Sequence, residues 1–161
     1  MANYKGEDRE EFHKTTKTLM EYMSEILEKN FDTHTITEFL ENSAGDGELM
    51  DYISSKYQKP VIGLDIVNRT GREDILIGDY LKTKGEYKSG RVAFINPPFA
   101  KGIKFCYKSL KECDYVVSIL SVNSFVNIDY DKYEVDDIYI LPNYDFGTCK
   151  ASICIIGMKN K

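Results

Sequence analysis

The sequence predicts an α/β fold in which a mostly parallel β-sheet is covered by helices on both faces. Apolar runs that predict strands alternate along the 161-residue chain with glycine turns and with amphipathic segments that predict helices. Most strand runs are continuously apolar, which is typical of strands buried on both faces of a parallel sheet. The last two apolar runs, residues 138–141 and 151–158, predict an antiparallel hairpin across residues 142–150.

Local patterns place each element along the chain. In the first half, the patterns predict an amphipathic helix (7–29), a strand (35–41), a glycine turn (42–47), a second helix (48–57) and two short strands (61–65 and 74–78). In the second half, they predict a polar loop (82–90), a strand (91–95), a helix (101–112), a strand (115–120) and an irregular stretch (121–136). Residues 1–161 are expected to form a single domain, with residues 1–30 as an N-terminal helical element.

The composition excludes several classes of protein. No segment approaches the ~20 consecutive apolar residues of a membrane helix, and the charged N-terminus lacks the apolar stretch of a signal peptide. The four cysteines show neither CxxC spacing nor framework density, so reduced thiols and a cytoplasmic location are expected. The formal net charge of −5 provides no basic excess, so contact with nucleic acid requires local basic clusters, a partner or only modest affinity.

Glycines and acidic residues follow three successive predicted strands. Gly45 and Gly47 lie in the turn after the first strand, where the backbone can approach a ligand closely. Asp65 ends the second strand, at a spacing from Gly47 that suits a carboxylate binding ribose hydroxyls, and Asp79 follows the third strand. Each signal alone also fits a tight connection or a helix cap. Together they favour a ligand site, because open α/β sheets bind ligands at the carboxyl ends of their strands.

The segment Asn96-Pro97-Pro98-Phe99 directly follows the fourth predicted strand. Its two prolines fix φ and remove two N–H donors, so the strand cannot continue in the sheet. Asn96 precedes a proline and is therefore restricted to an extended conformation. A rigid loop that only ends a strand has the same composition, but the position after a fourth α/β strand favours a functional segment.

The sequence from Phe12 to Met158 resembles the class I S-adenosylmethionine-dependent methyltransferases, specifically the amino-methyltransferases with an (Asn/Asp/Ser)-Pro-Pro-(Tyr/Phe) motif. Residues 41–47, Glu-Asn-Ser-Ala-Gly-Asp-Gly, resemble the Glu-Pro-Ser-Ala-Gly-x-Gly cofactor loop of that family, with asparagine in place of the proline. Phe12 and the Thr15-Thr16 pair resemble its N-terminal Phe-x-Thr-Pro element, from which the proline is missing here. The order of the motifs is that of type I modification subunits and related adenine methyltransferases.

The resemblance implies a Rossmann-like methyltransferase fold with a mostly parallel seven-stranded sheet, a C-terminal antiparallel hairpin and helices on both faces. It implies S-adenosyl-L-methionine as the cofactor and no metal. The residues that it assigns to cofactor binding are Phe12, Thr15, Glu41, Ser43, Ala44, Gly45, Gly47, Asp65, Ile66, Asp79, Tyr80 and Asn96. The residues that it assigns to catalysis are Asn96, Pro97, Pro98 and Phe99.

The reaction that the resemblance implies is methyl transfer to an exocyclic amino nitrogen, with adenine N6 in DNA as the first choice of acceptor. The Asn96 side-chain oxygen and the Pro97 carbonyl would each accept one N–H of the acceptor amine, which stabilises the positive charge that develops on nitrogen. Phe99 would stack on a base extruded from the duplex. An alternative interpretation places the Phe99 ring in the core.

Other residues have two interpretations or no assigned role. Lys101, Lys104 and Lys108 lie at helical spacing after the motif. This spacing fits either a set of phosphate contacts or a solvated helix face. His13 and His34 are expected at surface or structural positions. Base readout, if this chain performs it, is expected from residues 82–90 or 121–136, and the second of these is acidic.

Three other functions remain open. In the first two, the enzyme class is the same but the acceptor is an RNA base or a protein glutamine. Glutamine methyltransferases usually carry tyrosine at the Phe99 position, which counts against the glutamine version. The third alternative is a non-catalytic methyltransferase-like subunit that binds the cofactor or a partner. No segment is long enough for a separate target-recognition domain, so a separate specificity subunit, as in a restriction-modification system, is one expected source of sequence recognition.

Overall fold

A seven-stranded β-sheet organises the part of the chain that the computed structural model describes, residues 13–161. Its strands are β1 (Glu38–Glu41), β2 (Val61–Asp65), β3 (Ile75–Ile77), β4 (Arg91–Ile95), β5 (Tyr115–Ser121), β6 (Tyr133–Asp145) and β7 (Lys150–Asn160). Their order across the sheet is β3-β2-β1-β4-β5-β7-β6. The first five strands are parallel, and β7 is antiparallel to β5 and β6. The predicted mostly parallel sheet with a C-terminal antiparallel hairpin is therefore confirmed.

Helices cover both faces of this sheet, as predicted. They are α1 (Lys17–Asn30), α2 (Glu48–Tyr57), α3 (Gly102–Glu112) and the short α4 (Val122–Phe125). Phe94 packs in one core with residues of α1 and α2, and its neighbour Ala93 packs in a second core with residues of α3. Successive side chains of a strand point to opposite faces, so a strand buried on both faces is apolar at every position.

The connections on either side of β3 contain no α-helix. Residues 66–74 join β2 to β3 without a helix, and a 3₁₀ turn, Tyr80–Lys82, is the regular element between β3 and β4. Leu76 and Ile77 on this edge strand are consequently 60% and 53% exposed. Short connections keep residues that follow β2 and β3 close to the carboxyl ends of the strands.

Sequence patterns predicted some element bounds and missed others. Residues 48–57, 61–65 and 91–95 coincide with α2, β2 and β4. The strand predicted over residues 35–41 is wrong in its first part, because the Asp32 side chain accepts a hydrogen bond from His34 N and starts the 3₁₀ turn Thr33–Thr35.

The first helix also begins later than its pattern predicts. Residues 13–16 are not helical, and α1 begins at Lys17, where Thr16 Oγ1 caps the helix by accepting a hydrogen bond from Leu19 N at 3.3 Å. The part of the predicted helix before residue 13 lies outside the described residues. Residues 13–16 are therefore available to contact the ends of the strands.

The irregular stretch predicted over residues 121–136 contains α4 and the beginning of β6. β6 pairs with β7 over most of its length and has register shifts between Val135 and Asp137 and between Leu141 and Tyr144. Because β6 is an edge strand, its side chains are half-buried or exposed and its sequence is polar in places. It therefore lacks the continuous apolar pattern that predicts a buried strand.

Gly157 provides a test of the packing between β7, β5 and α1. A Cβ atom at this position would overlap the Tyr115 hydroxyl and lie 2.7 Å from Ile26 Cγ2. Gly157→Ala is expected to lower the free energy of unfolding by about 1–3 kcal/mol, since the packed core cannot accept the extra volume. Urea denaturation measures the change, with Gly78→Ala as the matched control because a Cβ atom there meets nothing within 4 Å. Equal losses in the two variants would contradict the described packing.

Candidate functional site

An open cleft of about 640 Å³, which includes space open to solvent, lies at the carboxyl ends of β1 to β4. Four segments that follow these strands line it, together with His13 from the segment before the first helix. The predicted residues among its lining are Ser43, Asp65, Ile66, Asp79, Tyr80, Asn96, Pro97 and Pro98. The parallel strands thus bring together residues that are up to 55 positions apart in the sequence, from Ser43 to Pro98.

A smaller and more polar cleft of about 250 Å³ adjoins the first. Both clefts are lined by His13, Ser43 and Asn96, so they form one continuous groove. The smaller cleft also contains predicted residues, namely Thr15, Glu41 and Ala44. Asn96 lies at the junction of the two clefts.

The two glycines of the turn shape the groove without lining it. Gly45 and Gly47 adopt positive φ angles of 57° and 85°, which side-chain-bearing residues rarely adopt. Gly45 N donates a 2.7 Å hydrogen bond to Asp65 Oδ2, and the turn leads directly into α2. These two glycines therefore hold the ends of β1 and β2 together.

Asp65 is almost completely buried and is oriented by the backbone. Its Oδ2 accepts from Gly45 N, and its Oδ1 accepts from Val67 N at 3.0 Å. Each carboxylate oxygen can accept a further hydrogen bond, so Asp65 can still bind hydroxyl groups in the cleft. The neighbouring Ile66 is 40% exposed and adds an apolar surface to the same cleft.

The residues after β3 present one carboxylate and one aromatic ring to the larger cleft. Asp79 Oδ1 accepts a hydrogen bond from Leu81 N at 3.1 Å and caps the following 3₁₀ turn. Tyr80 is buried, and its hydroxyl donates to Glu112 Oε2 at 2.6 Å in the core. Only the ring of Tyr80 is therefore available to a ligand, whereas Asp79 retains acceptor capacity.

Glu41 is a buried carboxyl at the edge of the smaller cleft. Burial raises its pKa to about 8, although hydrogen bonds from Ser43 N and Ser43 Oγ to Glu41 Oε1 act in the opposite direction. The nearby charge of Asp65 raises the pKa further. The carboxyl is thus protonated over much of the range in which other glutamates are ionised.

The Asn96 amide has a defined orientation. Its Nδ2 donates hydrogen bonds to the His13 carbonyl oxygen at 2.8 Å and to Thr15 Oγ1 at 3.1 Å. Both bonds use the nitrogen, so Oδ1 is the side-chain atom that can accept a hydrogen bond at this groove-lining position. The rigid Pro97-Pro98 backbone that follows also lines the larger cleft.

Phe99 lies in an aromatic cluster, not at an exposed tip. Its half-buried ring stacks on His13 with a centroid distance of 4.9 Å and lies 6.0 Å from Phe146. Phe146 and Tyr144, which belong to the β6–β7 hairpin, complete the cluster. His13, which was expected at a surface or structural position, is therefore part of the groove, whereas His34 is exposed.

The three lysines after the motif have different environments. Lys101 lines the larger cleft and Lys104 is exposed. Lys108 forms a 2.8 Å ion pair with Glu112 and lies 4.3 Å from the centre of the Tyr80 ring, so its amino group stabilises the core beneath the site. The interpretation of all three as one phosphate-binding or solvated face is therefore wrong for Lys108.

Several residues that line the groove were not predicted from the sequence, among them Asn42, Asp46, Glu48, Arg69 and Phe105. Asn42 stands where the resembled motif has a proline, and this difference was the feature of the sequence that could have indicated a role for the residue. It donates to Ser109 Oγ at 2.8 Å, while its buried Oδ1 has no hydrogen-bond partner among residues 13–161.

The two segments expected to read bases lie at different places. Residues 82–90 lie near the amino end of β4, where Lys88 N donates to Glu112 O and Gly90 N donates to Asp114 Oδ2. The end of this segment therefore lies at the opposite edge of the sheet from the groove, whereas its first residue, Lys82, ends the 3₁₀ turn that begins at the groove residue Tyr80. Residues 121–136 begin at the groove edge with α4, after which Val126 is 71% exposed.

No protein-family model and no curated protein matches this sequence. Solved structures match it over most of its length, among them Thermoplasma acidophilum 1320, with a TM-score of 0.65 and 15% identity over 95% of this chain and 93% of that chain. The chain has the Rossmann-like methyltransferase fold. The 23S rRNA methyltransferase ErmE matches with a TM-score of 0.62 and 12% identity over 94% and 70% of the two chains. The N-terminal domain of human METTL16 in complex with SAH matches with a TM-score of 0.52 and 11% identity over 87% and 68%.

Residues 13–161 contain neither a helix suited to cross a membrane nor a cluster of metal-binding side chains. None of the helices in this part of the chain has the length and apolar character needed to cross a membrane. The same residues contain no group of three or more His, Cys, Asp or Glu side chains placed to hold a metal ion.

Glu41 is expected to make stability depend on pH. Because its folded-state pKa of about 8 exceeds its ordinary value of 4.5, its contribution to stability is fully present below pH 4.5 and is lost as pH rises through about 8. Glu41→Gln removes this titration but keeps an oxygen that accepts from Ser43. Urea denaturation from pH 5 to 8 should therefore show the parent losing stability relative to the variant. Parallel curves for the two proteins would contradict the raised pKa.

Proposed function

We propose that this protein transfers the methyl group of S-adenosyl-L-methionine to an exocyclic amino nitrogen, with adenine N6 as the acceptor. The observation that carries this proposal is the Asn96 amide, which is fixed at the junction of the two clefts with its oxygen available as an acceptor. The methyltransferase fold and the bound SAH named for one structural neighbour support the choice of cofactor.

The two ends of this cofactor differ in polarity and charge, and the side chains that line the two clefts differ in a matching way. In the larger cleft, the apolar surface of Ile66 suits an adenine ring. The Asp65 carboxylate suits ribose hydroxyls, and the Asp79 carboxylate suits the amino group of the adenine. The smaller cleft contains the Asp46 carboxylate, which suits a cationic amino group, beside the Glu41 carboxyl, whose raised pKa keeps it protonated near neutral pH. We therefore assign the nucleoside to the larger cleft and the methionine end to the smaller one. Phe12, the remaining predicted contact, lies outside the described residues.

This assignment brings the sulfonium close to Asn96, because that residue lines both clefts. The bound cofactor supplies an electrophilic methyl group. Asn96 Oδ1 and the Pro97 carbonyl oxygen would each accept one N–H bond of the acceptor amine. These bonds localise the nitrogen lone pair and stabilise the positive charge that develops on it, with acceptors that are already in place.

The aromatic cluster changes the expected role of Phe99. One face of its ring is covered by His13, so a flipped base can stack only on the remaining exposed surface of the cluster. Of the three lysines after the motif, Lys101, which lines the larger cleft, is the best placed for an acceptor phosphate. With a net charge of −5, this chain is expected to bind nucleic acid weakly unless a partner subunit contributes affinity.

DNA is the first substrate and RNA is the second. The resemblance of the Asn-Pro-Pro-Phe segment to adenine-specific enzymes favours DNA, and the 23S rRNA methyltransferase among the structural neighbours favours RNA. Incubation with labelled cofactor and unmethylated DNA, RNA or total protein separates these substrates. Label in adenine of either nucleic acid supports the proposal, and label in protein alone contradicts it.

Asp65→Ala is expected to weaken binding of S-adenosylhomocysteine by about 1–3 kcal/mol, because hydrogen bonds to the ribose are lost. Isothermal titration calorimetry measures the affinity, and Asp131→Ala, at an exposed position of the β5–β6 connection, is the control. An equal affinity for the two variants would show that the ribose does not bind Asp65.

Asn96→Ala is expected to reduce kcat by about 10²–10³, the usual loss when a preorganised polar group is removed from a charged transition state. Binding of S-adenosylhomocysteine should change little, because Asn96 Oδ1 is assigned to the acceptor amine. A variant that transfers methyl groups at the parent rate would refute this mechanism. Absence of transfer in the parent itself, with the cofactor still bound, would support the non-catalytic alternative.

A further inference from the structure

The two hydrogen bonds of Asn96 Nδ2 determine which way its amide faces. The His13 backbone carbonyl can accept a hydrogen bond but cannot donate one. A 180° rotation of the amide would place Oδ1 against this carbonyl at the 2.8 Å distance now occupied by the nitrogen. The observed orientation is therefore the stable one, and it presents an acceptor to the groove.

The second acceptor, Thr15 Oγ1, is buried and belongs to a firmly held segment. Thr15 is 8% exposed, and its hydroxyl lies 3.1 Å from Asn96 Nδ2. The next residue, Thr16, caps α1 and forms a 2.5 Å hydrogen bond with the Tyr144 hydroxyl of the hairpin. On the other side, the His13 ring packs against Phe99 and Phe146. The segment that orients Asn96 is thus fixed at both ends.

Methyl transfer requires the orientation that this segment imposes. An amide that rotates freely presents its NH₂ group to the groove for part of the time, and that group cannot accept an N–H bond from the acceptor amine. Fixing Oδ1 toward the acceptor before the reaction removes this unproductive population.

We propose that Thr15 is a positioning residue, whose hydroxyl acts with the His13 carbonyl to hold the Asn96 oxygen toward the acceptor amine. This proposal rests on the proposed function. It assigns Thr15 a role in the rate of transfer that differs from the cofactor contact expected from the sequence. A cofactor contact alone would change cofactor affinity, whereas a positioning role changes kcat.

Steady-state kinetics with the accepted nucleic acid separates the two roles. Thr15→Val, which preserves side-chain shape, should lower kcat about tenfold, corresponding to one lost hydrogen bond. The Kd of S-adenosylhomocysteine should change less than about twofold. Thr15→Ser should restore kcat, and Thr18→Val at an exposed position of α1 should match the parent. A Thr15→Val variant with unchanged kcat, or one that loses only cofactor affinity, would overturn the proposal.

The orientation itself can be measured without turnover. The side-chain amide signal of Asn96 in a ¹⁵N NMR spectrum is identified by its absence from Asn96→Ser. Hydrogen exchange at this amide should be about tenfold faster in Thr15→Val than in the parent, and near the parental rate in Thr15→Ser. Equal exchange in all three proteins would overturn the positioning role. Failure of the parent to methylate any substrate would instead count against the proposed function, and the NMR comparison would still test the orientation.

Discussion

Burial of both faces of the central strands is the constraint on which the site depends. β4 lies between β1 and β5, and four of its five residues are buried, with alternate side chains in the two cores. Such a strand can end only where the core ends, and two prolines end it there by removing the donors that the sheet would need. Asn96 therefore leaves the sheet at a fixed point, beside the ends of the neighbouring parallel strands. The position of the groove follows from the packing of the core.

The polar groups of the groove are held by hydrogen bonds from within the protein. Asp65 accepts from two backbone N–H groups, Glu41 accepts twice from Ser43, and Asn96 donates to residues 13 and 15. Groups fixed in this way need little reorganisation when a ligand binds or when charge develops. The same design extends beneath the site, where the Tyr80 hydroxyl and Lys108 both bind Glu112.

The sequence predicted those features that depend on local pattern. The bounds of α2, β2 and β4 follow from continuous apolar runs and from the turns that end them, and the groove residues after each strand follow from the parallel topology. Features that depend on tertiary contacts were not predictable in the same way. The stacking of His13 on Phe99 needs the β6–β7 hairpin, and the burial of Lys108 needs Glu112 and Tyr80. The orientation of Asn96 depends on residues more than eighty positions earlier in the chain.

The central claim is that one groove holds the methyl donor with its sulfur beside Asn96. A crystal structure of the protein with S-adenosylhomocysteine and an adenine nucleotide tests it most directly. We expect ribose hydroxyls within about 3.2 Å of Asp65, the adenine of the donor against Ile66, and the N6 amine of the nucleotide within about 3.2 Å of Asn96 Oδ1. A donor bound elsewhere, or a nucleotide amine directed away from Asn96, would contradict it.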